Sequence, residues 1–262
     1  MRELEGKIAI VTGGAQGIGA AGAKELAFQG ASVTIMDIDE KAAVATTEAI
    51  NTSGGVAVAV IADASTSEGC QKAVSKTLSE YNGVDILFNN VGIQPVNSYT
   101  NVENTSEEMW DRIIAVNLKS RFLMAKYCLP VMRKRGGGVI ISTASVQGQQ
   151  SANLVPAYAA SKGGDLSLTR QMALDYAQDN IRVVSVCPGG VDTPLWRDSV
   201  LGSGRDVKTA LLESGSSHPI GRIGSASDIA KLVAFLASNK ADFITGTFIN
   251  VDGGIMAKGS WA

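Results

Sequence analysis

The chain has 262 residues, 45% apolar and 18% charged, enough for one large core or at most two small domains. Lys+Arg 23 against Asp+Glu 25 leaves a net charge of -2, so neither nucleic acid nor an anionic membrane surface is indicated as a partner. The longest wholly apolar run is residues 56–62, far short of the ~20 residues a membrane helix needs.

Residues 1–7 carry no signal-peptide core. Cys70, Cys128 and Cys187 are odd in number, widely spaced and form no CxxC, as expected of reduced thiols in a cytoplasmic protein. With His218 the only histidine, no histidine cluster is available for a metal, and a Ser-His-Asp hydrolase would have to use that one residue. No G-x-S-x-G elbow accompanies it.

Short runs rich in β-branched residues predict strands over 8–11, 32–36, 56–61, 84–88, 138–142, 183–186 and 248–251. Each is apolar on successive residues, the pattern of strands covered on both faces in a parallel sheet. Helical periodicity falls between them, over 17–29, 40–51, 68–81, 107–133, 158–178 and 227–237. This alternation predicts one open α/β sheet with right-handed crossovers and a single domain over 1–262. Two stretches break the rhythm, 94–105 and 189–224. Both follow the carboxyl end of a strand, where such sheets bind ligands, and the second has room for a mobile lid or short helices.

The first strand runs into Gly13, Gly17 and Gly19, with Gln16 and Ile18 between them. Glycines let the backbone turn tightly and let a phosphate reach the amides at the positive end of the next helix. The spacing G-x-x-x-G-x-G differs from the commoner dinucleotide fingerprint, and a tight strand–helix turn alone also accounts for it. Asp37, eighteen residues past Gly19, supplies context. A carboxylate there accepts hydrogen bonds from both hydroxyls of an adenosine ribose and repels a 2′-phosphate, while Gln16 and Ile38 bring no cation; NAD is favoured over NADP. The plain alternative is an acid capping a loop. Asp63 suits an adenine contact or a turn equally well.

Tyr158 and Lys162, four apart, share one helix face. A protonated lysine favours the phenolate and makes tyrosine a usable general acid/base. Ser145 falls in the turn after strand 138–142, at the same sheet edge as the glycine turn.

In Thr12–Gly19, Asp63, Asn89-Asn90-Val91-Gly92, Asn117, Ser145, Tyr158-x-x-x-Lys162, Pro188-Gly189, Thr193, Ile244-Thr245-Gly246 and Val251-Asp252-Gly253-Gly254, the sequence resembles the short-chain dehydrogenase/reductase family along almost its whole length. Val91 departs mildly from the usual Asn-Asn-Ala-Gly. The resemblance implies a Rossmann-type, doubly wound, seven-stranded parallel sheet and a Ser-Tyr-Lys-Asn site. It implies that Tyr158 moves the proton, Ser145 positions the substrate oxygen, and Lys162 holds the nicotinamide ribose and lowers the tyrosine pKa. Asn117 links Lys162 to solvent through its backbone and a water. Gly13, Gln16, Gly17, Ile18, Gly19, Asp37, Asp63, Asn90, Gly92 and Pro188 line the cofactor path, with Val191 and Thr193 near the carboxamide. A homotetramer built on the long helices 107–133 and 158–178 is implied as well, with the tail from Ile255, including Trp261, reaching an interface or a neighbour's site.

The expected activity is NAD-dependent interconversion of a secondary alcohol and a ketone. Gln94, Asn97, Gln147, Gln149, Gln150, Asn153, Trp196, Arg197 and His218 fall in the segments expected around the pocket and lean toward a small polar substrate such as a sugar, polyol or hydroxy acid. His218 itself reads first as a surface loop residue. The alternatives are an NADPH-linked acyl-thioester ketoreductase, which Asp37 and Gln16 disfavour, and a non-catalytic NAD-binding module, which the four filled positions disfavour.

Overall fold

The computed structural model describes residues 2–259. Seven strands form one parallel sheet: β1 (Ile8–Thr12), β2 (Ser32–Asp37), β3 (Val56–Ile61), β4 (Ile86–Asn89), β5 (Gly138–Thr143), β6 (Ile181–Pro188) and β7 (Thr247–Val251). Their order across the sheet is β3-β2-β1-β4-β5-β6-β7, which reverses direction between β1 and β4. That reversal opens a crevice at the carboxyl edge, the place where doubly wound sheets hold ligands.

Helices cover both faces: α1 (Gly17–Phe28), α2 (Glu40–Thr52), α3 (Ser67–Tyr81), α4 (Glu107–Ile114), α5 (Ser120–Lys134), α6 (Pro156–Tyr176), α7 (Pro194–Gly202), α8 (Val207–Ser217) and α9 (Ala226–Ala237). The strands alternate their side chains between two cores, as a period of two dictates. Val11, Phe88 and Ile141 pack with Leu26, Ile229 and Val233 on one side. Ile10, Leu87 and Ile140 pack with Leu123, Met124 and Met132 on the other. This doubly covered sheet is the Rossmann-type architecture expected from the uninterrupted apolar strands.

The expected helix over 107–133 is three pieces. Ala115–Lys119 forms a π-helical turn between α4 and α5, and Asn117 lies within it. Such turns insert an extra residue and turn a side chain to a new direction, which 3.6-residue periodicity does not register. The stretch 189–224 holds α7 and α8, and its base is closed by a two-residue parallel ladder pairing Val191 with Gly224 and Asp192 with Ser225. Ile255–Ala257 is a short 3₁₀ turn; the expectation for Trp261 lies outside the described residues.

Candidate active site

The glycine turn is fixed by its neighbours across the crevice. The Thr12 hydroxyl accepts the Asn90 and Val91 amides at 3.0 and 3.2 Å, and Asn90 Nδ2 donates to the Gly13 carbonyl at 3.0 Å. A Cβ on Gly19 would lie 1.9 Å from the Gly13 oxygen, so only glycine lets α1 start this close to β1. Asn90 also accepts from Thr143 Oγ1, and its amide thereby ties β1, β4 and β5 together. Gly17 faces Thr193 across the turn, its hypothetical Cβ 3.4 Å from Thr193 Cβ. Thr193 caps α7 by accepting from Trp196 N, with Pro194 opening the helix.

Asp37 sits between its own loop and a cleft. Its carboxylate accepts the Ala15 and Asp39 amides at 3.0 and 3.1 Å, a loop-capping role, and it also lines a cleft of about 270 Å³ with Gly13, Ile38, Asp63, Val91 and Ile93. Each carboxylate oxygen keeps a further lone pair for a ribose hydroxyl. Asp63 likewise accepts from Ser65 N and borders the cleft. Gln16 Nε2 donates to Asp39 rather than into the cleft. Arg112, on α4, lines the same cleft, a cation that the sequence reading passed over.

Ser145, Tyr158, Lys162 and Asn117 meet at the carboxyl ends of β4 and β5. Lys162 is 3% exposed and donates to the Thr143 carbonyl at 2.7 Å; its Nζ lies 5.5 Å from the centre of the Tyr158 ring. Asn117 is fully buried. Its Oδ1 accepts from Ile93 N at 2.8 Å, and its Nδ2 donates to Ile93 O at 3.0 Å and to Ser161 Oγ at 3.3 Å. The π turn thus uses Asn117 to hold the chain just before Gln94. A Cβ on Gly92 would meet Asn117 Oδ1 at 3.5 Å and Asn90 O and Lys162 Nζ at 3.8 Å, all ordinary contacts, so Gly92 packs directly beside Asn117 and the lysine.

Burial pushes the Tyr158 phenol up to about 12, while contact with the Ser145 hydroxyl and the charge of Arg121 act the other way. Burial also pushes Lys162 down to about 7, and Arg121 adds to the effect. The expected lowering of the phenol by Lys162 is therefore not what the structure gives: burial outweighs the opposing pull of Ser145 and Arg121, and the phenol stays raised. Arg121 was missed, although it is a charge inside the apolar run of α5 and faces Asp165, seven residues past Tyr158 on the same α6 face. Tyr99 was missed too; its hydroxyl is 2.6 Å from Ser199 Oγ.

The remaining expectations divide. Gln94 Nε2 and Gln147 Oε1 are buried without a hydrogen-bond partner among the described residues, whereas Gln149 is tied to Asn250 at 2.6 Å. Asn97, Gln150 and Asn153 are exposed, and Trp196 is half-buried on α7. Arg197 is paired with Asp192. Pro188 ends β6 against Val251, and Val191 is buried in the ladder. Ile18 packs on the core beneath the turn. His218 is a correction: it is 3% exposed, not a surface residue. Its Nε2 accepts from Gly190 N at 3.0 Å and its Nδ1 meets Ser214 O at 2.6 Å. Both ring nitrogens are thus engaged by the loop's own backbone, and His218 builds the base of 189–224 rather than facing substrate.

A doubly wound sheet with a glycine turn, an acid at the end of β2 and a Ser-Tyr-Lys-Asn cluster at its switch point defines a nucleotide-dependent oxidoreductase. A family model described as enoyl-(acyl carrier protein) reductase matches residues 13–256. Dehydrogenase/reductase SDR family member 4 of Caenorhabditis elegans is 37% identical, covering 98% of both chains. Cyclohexanol dehydrogenase of Acinetobacter sp. is 36% identical over 98% of this chain and 97% of its own. The crystal structure of levodione reductase superposes with a TM-score of 0.93 at 30% identity, covering 98% of this chain and 100% of that one. The chain belongs to the short-chain dehydrogenase/reductase family, whose members generally use NAD(P)(H).

Proposed function

We propose that this protein interconverts a secondary alcohol and a ketone on a small polar substrate with NAD(H). The observation that carries the reading is the convergence of Ser145, Tyr158, Lys162 and Asn117 beside a cleft that has Asp37 in its wall. NAD(H) supplies the hydride acceptor or donor. In the oxidative direction Tyr158 Oη takes the hydroxyl proton while Ser145 Oγ hydrogen-bonds the same substrate oxygen. Lys162 Nζ would hold the ribose hydroxyls and exchange protons toward solvent beside Asn117. Gly13, Gly17, Gly19 and the start of α1 would receive the pyrophosphate. The orphaned amides of Gln94 and Gln147 favour a substrate with a second polar group. Cyclohexanol dehydrogenase, by its name, acts on a secondary alcohol, in keeping with this class.

Titration with NADH and NADPH, followed by nicotinamide fluorescence, tests the cofactor assignment. NADH is expected to bind at least about tenfold more tightly, roughly 1.4 kcal/mol. A preference for NADPH would mean that Arg112 reaches a 2′-phosphate, and would favour the ketone-reducing alternative. Tyr158→Phe is expected to keep NADH affinity within about twofold while losing about 10³-fold or more in turnover, because it removes only the proton. Turnover retained with a true substrate would rule Tyr158 out as the acid/base.

The assembly is proposed to be a homotetramer, supported by the exposed Trp110 on α4 and Phe122 on α5 and by Phe243 at 99% exposure. Three buried free thiols support a reducing, cytoplasmic setting.

A further inference from the structure

Arg121 and Asp165 are both fully buried, yet neither belongs to the glycine turn or the Ser-Tyr-Lys-Asn cluster. Arg121 Nε stands 3.5 Å from Asp165 Oδ2, an ion pair with no solvent contact and long for a hydrogen bond. The guanidinium also donates to three carbonyls. These are Val91 O in the turn after β4, Val116 O in the π turn at 3.3 Å, and Thr143 O at the end of β5 at 3.4 Å. Those three segments carry Asn90 and Gly92, Asn117, and the acceptor of Lys162. Thr143 O receives both Lys162 Nζ and Arg121 Nη2. A fork of five donors fits this task, since it spans three acceptors at once and keeps its charge when buried.

We propose that the Arg121–Asp165 pair is the positioning device of this site: Arg121 clamps the three segments that frame Lys162 and Tyr158, and Asp165 balances the charge Arg121 places beside them. The proposal rests on the reading of Tyr158 and Lys162 as the proton-transfer pair. A buried pair serving only packing would be replaceable by apolar residues of similar volume. Here the pair borders the two titrating groups, and its two members act on Lys162 in opposite directions, Arg121 disfavouring the ammonium and Asp165 favouring it. The other groups facing Lys162 are the Cys187 thiol from β6, which burial keeps protonated, the neutral Thr143 carbonyl and Tyr158; Tyr158 in turn faces Ser145 and Tyr99.

The test titrates Lys162 by NMR in the full chain, with carbon-13 at the lysine ε position and Lys162→Met identifying the signal. The titration needs no substrate, so its outcome stands apart from the alcohol-oxidation assay that tests the proposed function and that reads the turnover of the variants below. Arg121→Met is expected to move the Lys162 midpoint up by about 1 pH unit, and Asp165→Asn to move it down by about as much. Arg121→Lys, which keeps the charge but not the fork, is expected to leave the midpoint in place and lower turnover about tenfold. The apolar pair Arg121→Met with Asp165→Leu leaves no lone buried charge. It is expected to fold with an unchanged midpoint and to lose turnover at least about tenfold through the missing clamp. Single variants that leave the midpoint where it was, or move it the same way, would overturn the proposal, as would full turnover in the apolar pair.

Discussion

Lys162 is a basic group in a place that disfavours its charge. Its pKa falls from 10.5 to about 7 on burial, so between those values the unfolded chain binds a proton that the folded one releases. Stability attributable to this residue therefore rises with pH through that window, and the cost of burying it is complete below about 7. Lys162→Met is accordingly expected to raise the melting temperature by about 2–4 °C near neutral pH, with the gain shrinking toward pH 10 and turnover lost. Melting curves at several pH values check the sign. His218 is the contrasting case. With both ring nitrogens engaged and the ring buried, His218→Ala is expected to cost about 1–3 kcal/mol while NADH affinity is retained, measurable by denaturant unfolding beside the fluorescence titration. Sequence alone reads His218 as a loop residue because its acceptor role is set by Gly190, 28 positions away. The Arg121–Asp165 pair is hidden for the same reason: its partners, 44 residues apart, meet only once α5 and α6 are packed.

At the scale of elements, strand starts and ends were readable because β-branched runs are bounded by glycines and acids, and they agree with the structure to within two residues at every end, with β6 extending by two at both. The π turn was not readable. It depends on Asn117 finding both polar backbone atoms of Ile93, a contact that no local pattern encodes. Asn117→Ala is expected to release that segment and lower turnover about 10²-fold, with little change in melting temperature if α4 and α5 simply join. Hydrogen exchange at Ile93 N reports the release directly. The loop 94–105 and α7 are joined as well, through Tyr99 on Ser199 and through Val96 on Gly202, where a Cβ would lie 2.4 Å from Val96 Cγ1. Gly202→Ala should push the two apart, and it is expected to raise KM several-fold while kcat is held. Steady-state kinetics separates the two parameters.

The molecule exposes large apolar side chains both on its body and around the carboxyl edge of the sheet. Phe243 is 99% exposed beside β7 and Leu174 on α6 is 77% exposed, and Ile38, Val102 and Leu212 are exposed in segments that follow strand ends. A lone subunit is expected to hide such residues against copies of itself. Sedimentation should give a tetramer, and Phe243→Asp is expected to yield a smaller species; a monomeric wild type would remove the assembly from the reading. Fold class was legible from the alternation of strand and helix, since a parallel sheet covered on both faces needs uninterrupted apolar strands. Substrate identity was not, because it depends on side chains whose directions are fixed by α7, α8 and their anchors.

The short ladder at the foot of 189–224 has a consequence for how that segment evolves and comes apart. Val191 pairs with Gly224 and Asp192 with Ser225, so the thirty-odd residues between leave and rejoin the body at neighbouring points. The entropy of bringing those ends together is met by the ladder, not by the helices beyond it. The segment can therefore be exchanged for one of another length and composition without altering the register of the seven strands. By the same token its exposed turn at Ser203 and Gly204 is where a protease is expected to cut first, leaving two fragments that stay associated through the sheet.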